Sequence, residues 1–129
     1  MKRSTLLRMT PEQLDGYARM LGLDVSGHET VEEKADAIEA RRERVATIDV
    51  AGLSLTVPMK RLHDKRLIDK YEGGVKTNSE LEDFISDLLG EEQMQSLRDA
   101  CTDEDGTVDA DGYMVLLESI NVAEELKNF

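Results

Sequence analysis

The sequence predicts a mainly α protein: a small helical domain carrying one β-hairpin, preceded by a helix–extended loop–helix module. Three observations lead there. Apolar residues recur at helical spacing in separate stretches, most clearly at Leu81, Phe84, Ile85, Leu88 and Leu89. Thr10, Thr30 and Thr77 are each followed three residues later by Gln13, Glu33 and Glu80, the spacing of a helix-capping box. One stretch alone, "VATIDVAGLSLTVP", changes to β-formers.

Taken in order, Thr10, Pro11 and Gln13 open a first helix whose inward face is Leu14, Tyr17, Ala18 and Leu21, with Met9 placed to staple Leu14 and Gly22 to stop the chain. The loop "GLDVSGHE" leads to Thr30 and a second helix running towards Arg44, with Val31, Ala35 and Ile38 inward. Val45 to Pro58 reads as a hairpin turning at Ala51-Gly52. An isolated hairpin is marginal in water, so it must pack on helices or be completed by a partner strand. "PMKRLHDKRLIDKYE" reads as one basic helix, Pro58–Tyr71, closed by Gly73-Gly74. Thr77 opens the stripe that Gly90 ends. A shorter helix follows around Met94, Leu97 and Cys101, and a last one carries Tyr113, Leu116, Leu117 and Ile120. The domain division is 1–44 and 45–129.

Composition narrows the class. Of 129 residues 40% are apolar, but there is no Trp and only two Phe and three Tyr, so the core must be aliphatic. The net charge of −12 is uneven. Residues 1–44 carry 8 basic and 9 acidic side chains, residues 45–76 carry 6 and 4, and residues 77–129 carry 2 and 15. Such an acidic final third repels nucleic acid and anionic membrane. No apolar run approaches the roughly 18–20 residues of a membrane helix, and the single Cys101 has no partner for an internal disulfide. The expected setting is a reducing cytosol, without a membrane partner.

"TDEDGTVDADGY", residues 102–113, imitates a calcium loop. An EF-hand needs oxygen ligands at positions 1, 3 and 5, glycine at 6 and a bidentate Glu at 12. A loop starting at Asp103 puts Val108 at position 6 and Met114 at 12; one starting at Cys101 begins on a thiol and ends on Gly112. The simpler reading is an interhelical loop, with a turn at Asp105-Gly106, Asp109 capping the last helix and Val108 stapled to Tyr113. His28, His63 and Cys101 have no zinc-site spacing, and there is no phosphate-cradling glycine loop or nucleophile motif. The expectation is no metal, no cofactor and no catalysis.

"TPEQLDGYARMLGLDVSGHETVEEKADAIEARRER", residues 10–44, is similar to the helix–extended loop–helix of SAP-like modules, several of which bind nucleic acid. The resemblance implies Arg41, Arg42 and Arg44 as contacts for a DNA-associated accessory role. From residue 45 the chain resembles the tail assembly chaperones of long-tailed bacteriophages and prophages. "VPMKRLHDKR", "LLGEEQMQSL" and "ACTDEDGTVD" carry that likeness, within residues 45–120. It implies a small acidic helical protein of the bacterial cytoplasm that coats the hydrophobic tape measure protein, helps recruit tail tube subunits, and could form a homo-oligomer. Candidate client contacts are the stripe Leu81, Phe84, Ile85, Leu88 and Leu89, with Lys60, Arg61, Lys65 and Arg66 on the basic helix as a second wall. Met residues suit such a surface.

Overall fold

The computed structural model describes residues 1–127, which form two compact units meeting in sequence between Arg44 and Val45. The last two positions of the sequence-derived domain 45–129 lie outside the described residues.

The first unit has a four-residue helix α1 (Arg3–Leu6), then α2 (Pro11–Met20) and α3 (Val31–Arg42). The Thr10 capping box is complete: Thr10 Oγ1 accepts from Gln13 N at 3.1 Å, and Gln13 Oε1 accepts from Thr10 N at 3.0 Å. Gly22, at φ 66°, lets Leu23 N reach back to the Ala18 carbonyl at 2.9 Å, a Schellman ending. At α3 the box is shifted. Thr30 Oγ1 accepts from Glu33 N, but Glu33 Oε2 accepts from Glu29 N, one residue before the cap. The helix stops at Arg42 rather than Arg44. Leu6, Leu14, Ala18, Leu21, Val25, Ala35 and Ile38 form the buried core of this unit, with Tyr17 and Val31 partly buried against it.

The second unit begins with strands β1 (Val45–Val50) and β2 (Leu53–Pro58), antiparallel in the register Val50↔Leu53 to Val45↔Pro58. The turn puts Ala51 at φ 49° and Gly52 at φ 78°, the left-handed pair that matches strand twist. Ile48, Leu55 and Val57 face the core.

The expected helix Pro58–Tyr71 is not continuous. Met59–His63 is a 3-10 turn that buries Met59, and α4 is only Lys65–Lys70. Between them Asp64 is extended (ψ 118°), because its carboxylate accepts from Arg66 N at 2.9 Å and starts a new helix there.

Then α5 (Asn78–Leu89) and α6 (Glu91–Ala100) are joined by Gly90 alone, whose φ of 83° turns the chain. The final helices are α7 (Ala110–Asn121) and a four-residue α8 (Glu124–Lys127). The hairpin packs its inner face on α5, α6, α7 and α8, around Ile85, Leu88, Leu97, Leu117 and Ile120. The molecule is thus mainly helical with a two-stranded hairpin, as composition and periodicity predict. Among the described residues no helix is long and apolar enough to cross a membrane.

Candidate functional site

The α5 stripe divides. Leu81, Ile85, Leu88 and Leu89 are buried in the core of the second unit, while Phe84 is partly buried at its margin. The Phe84 ring stands edge-on to Tyr71, centroids 5.1 Å apart. Beside it Asp87 Oδ2 accepts from the Tyr71 hydroxyl at 2.6 Å and from Lys70 Nζ at 2.9 Å. Burial works to raise the Asp87 carboxyl, but the Tyr71 and Lys70 donors together hold it below its ordinary value. This corner ties the end of α4 to α5.

The four basic candidates do not form one wall, because the helix expected to carry them is broken at Asp64. Lys60 is exposed on the 3-10 turn. Arg61 Nη1 donates to the Leu88 carbonyl, a cation at the negative end of α5. Lys65 pairs with Asp69 at 3.0 Å, four residues along α4. Arg66 pairs with Asp64 at 2.8 Å, and that hydrogen bond holds the Asp64 carboxyl below its usual range.

In the first unit, Arg41 Nε donates to the Leu21 carbonyl at 3.1 Å, at the end of α2. Burial, with the neighbouring Arg44 charge, lowers the Arg41 pKa. Arg42 is partly exposed, and Arg44 Nε is buried without a hydrogen-bond partner. The three arginines are therefore in three different environments. A separate open cleft of about 630 Å³ in this unit is lined by Asp15, Arg19, Asp24, His28 and Lys34 among others, with Lys34 held by Asp15 at 2.8 Å.

The acidic loop is held by its own hydrogen bonds. Asp103 N donates to the Thr107 carbonyl, Gly106 N to the Asp103 carbonyl, and Asp109 N to the Cys101 carbonyl. Asp105 Oδ1 accepts from Thr107 N at 2.9 Å, and Asp109 Oδ1 caps α7 through Gly112 N at 3.0 Å. Val108 is exposed and pairs through its backbone with Thr102. Burial, and then the Asp109 charge, push the Cys101 thiol up, which keeps it protonated. Among the described residues no three His, Cys, Asp or Glu side chains are grouped to hold a metal ion.

Two polar constellations have no counterpart in the sequence reading. Gln93 of α6 lies along the outer edge of β2: its Oε1 accepts from Thr56 N at 2.7 Å, and its Nε2 donates to the Thr56 carbonyl at 2.8 Å. The second is a groove of about 380 Å³ whose lining includes Glu82 and Asp83 of α5, Glu91, Met94 and Arg98 of α6, and Tyr113 of α7. Arg98 reaches Glu82 only at 3.9 Å and lies over the Tyr113 ring, 5.9 Å from its centre. Tyr113 is 6% exposed, and its buried hydroxyl lies beside the Glu82 and Arg98 side chains. Burial raises the Tyr113 pKa; Glu82 acts in the same direction and Arg98 against it.

Comparison of the chain with protein-family models, curated proteins and solved structures finds no matching family, relative or structural neighbour.

Proposed function

We propose that this chain is a non-enzymatic tail assembly chaperone of a long-tailed phage or prophage. It would act in the cytoplasm of the bacterial host, keep the tape measure protein soluble and help recruit tail tube subunits. The observation that carries this reading is the resemblance over residues 45–120. It is supported by a unit that joins a hairpin to helices with a strongly acidic exterior, a surface that keeps an apolar complex in solution.

With Leu81, Ile85, Leu88 and Leu89 in the core, the client surface draws on other side chains. Phe84 stands at the core margin, while Val115 of α7 and Val122 just beyond it, seven residues apart, are each 59% exposed. Anchors at that spacing suit a client helix laid along α7. The DNA-associated reading of residues 10–44 is not advanced, since Arg41 is already engaged with a main-chain carbonyl.

The test is co-expression with the tape measure protein of the same phage or prophage. A soluble complex is expected, and Val115→Asp with Val122→Asp should leave the chaperone folded while the client precipitates. A tape measure protein that stays soluble alone, or that never co-purifies, removes the assignment.

A further inference from the structure

We propose that α4 is a strap that opens away from α5 as a unit while the rest of the second unit stays folded, and that Asp87 is its latch. The opening belongs to the free chain and does not rest on the chaperone reading.

The strap is anchored at both ends and lightly held between them. Upstream, Met59 is buried and Arg61 donates to the Leu88 carbonyl. Downstream, Val75 packs against the core and Thr77 caps α5. Across residues 65–74 only Leu67 and Tyr71, one helical turn apart, are partly buried; the other positions are exposed. The Lys65–Asp69 and Arg66–Asp64 ion pairs lie within the strap and travel with it. What reaches α5 is the corner already described: the Tyr71 hydroxyl and Lys70 Nζ on Asp87, and the Tyr71 ring on Phe84.

Both ends of the strap can bend. Asp64 is extended on one side, and on the other Gly74, at φ 84°, sits in open space. A six-residue helix does not persist in water without tertiary contacts, so releasing the latch melts α4 and frees its amides. Few buried apolar contacts and an exposed backbone mark a segment that opens locally. By contrast α5 keeps Leu81, Ile85, Leu88 and Leu89 in the core and does not follow. Opening uncovers the Phe84 ring, which on the chaperone reading gives a client helix a part of the α5 stripe that the closed strap covers.

The experiment is amide hydrogen exchange of the full chain, followed by NMR at urea concentrations below the unfolding midpoint. The Ile68 and Tyr71 N–H groups donate to the Asp64 and Leu67 carbonyls. They should exchange together, about 100-fold or more faster than those of Ile85 and Leu88, and with little dependence on urea, because little surface is exposed. Tyr71→Phe keeps the ring and removes one latch bond, so Ile68 should exchange about fivefold or more faster. Ile120→Val, in the core on α7, should speed Ile85 and Leu88 about two- to tenfold and leave Ile68 and Tyr71 unchanged. Exchange of Ile68 at the rate of the core, or in step with Ile120→Val, would overturn the strap, because α4 would then open only with the whole unit. So would indifference of Ile68 to Tyr71→Phe, which would mean that α4 frays residue by residue without a latch.

Discussion

Gln93 closes the free edge of the hairpin with a side chain, and removing it should loosen β2 from α6. Its amide makes three short bonds: two to Thr56 N and O, and one from Nε2 to the Leu89 carbonyl at 2.8 Å. Each is worth about 0.5–1.5 kcal/mol net. Holding a glutamine in one rotamer costs roughly 1–2 kcal/mol, and Thr56 is exposed, so water replaces part of what is lost. Gln93→Ala should therefore cost about 1–2 kcal/mol, a fall in melting temperature of roughly 4–8 °C for each kcal/mol in a domain of this size. Urea unfolding followed by circular dichroism measures the total, and amide exchange at Thr56 localises it. Gln93→Glu sharpens the test. The carboxylate can still accept from Thr56 N, but it faces the Thr56 and Leu89 carbonyls with no donor. It should be worse than Ala at neutral pH and recover as acid restores a proton. The carboxyl's folded pKa is raised here, so its stabilising share is present at low pH and lost as pH rises through that pKa. If Gln93→Ala stays within a few tenths of a kcal/mol of the parent, or Gln93→Glu matches it at neutral pH, the edge is not held in this way.

Ala51 occupies left-handed backbone at φ 49°, where asparagine is at ease, so Ala51→Asn should stabilise the hairpin by about 0.5–1 kcal/mol in thermal melts. Leu88→Ala, at a site with no exposure, should cost about 2–5 kcal/mol, against roughly 1–2 kcal/mol for Phe84→Ala at the core margin; chemical denaturation that reverses this order would refute the division of the stripe. Asp87 has a folded pKa below its unfolded one, so its contribution is present above the unfolded value and lost as pH falls through the folded one. Asp87→Asn should flatten the acid limb of the stability–pH curve, and an unchanged limb would place that dependence elsewhere.

Local chemistry was legible in the sequence because it is written within a few residues. Thr10, Thr30, Thr77 and Asp109 all cap the helices they were expected to cap, and Ala51-Gly52 makes the turn. What failed was also local, but balanced between two outcomes. Asp64 can sit inside a helix or cap a new one, and with Met59 drawn into the core the chain takes the second course. The four-residue helices α1 and α8 have too few residues to show a period. At Thr30 and at Thr77 alike the glutamate reaches one residue too far back, Glu33 accepting from Glu29 N and Glu80 from Lys76 N, so spacing alone does not choose which neighbouring N–H a glutamate meets.

The candidate site was harder to read, for a different reason. A periodic apolar stripe records that a helix covers something, not whether the cover is the protein's own core or a client. For Leu81, Ile85, Leu88 and Leu89 the answer came only from β1, β2, α6 and α7 closing over them. The polar constellations carry the opposite kind of information. Gln93 and Tyr113 are ordinary residues in sequence, and their meaning lies in what the fold brings opposite them. Gln93 meets a strand edge that needs one donor and one acceptor, and it supplies both. Tyr113 is carried to the junction of α5, α6 and α7, where its buried hydroxyl lies beside Glu82 and Arg98. Tyr113 lines a groove built from helices far apart in sequence, a placement that no local pattern records.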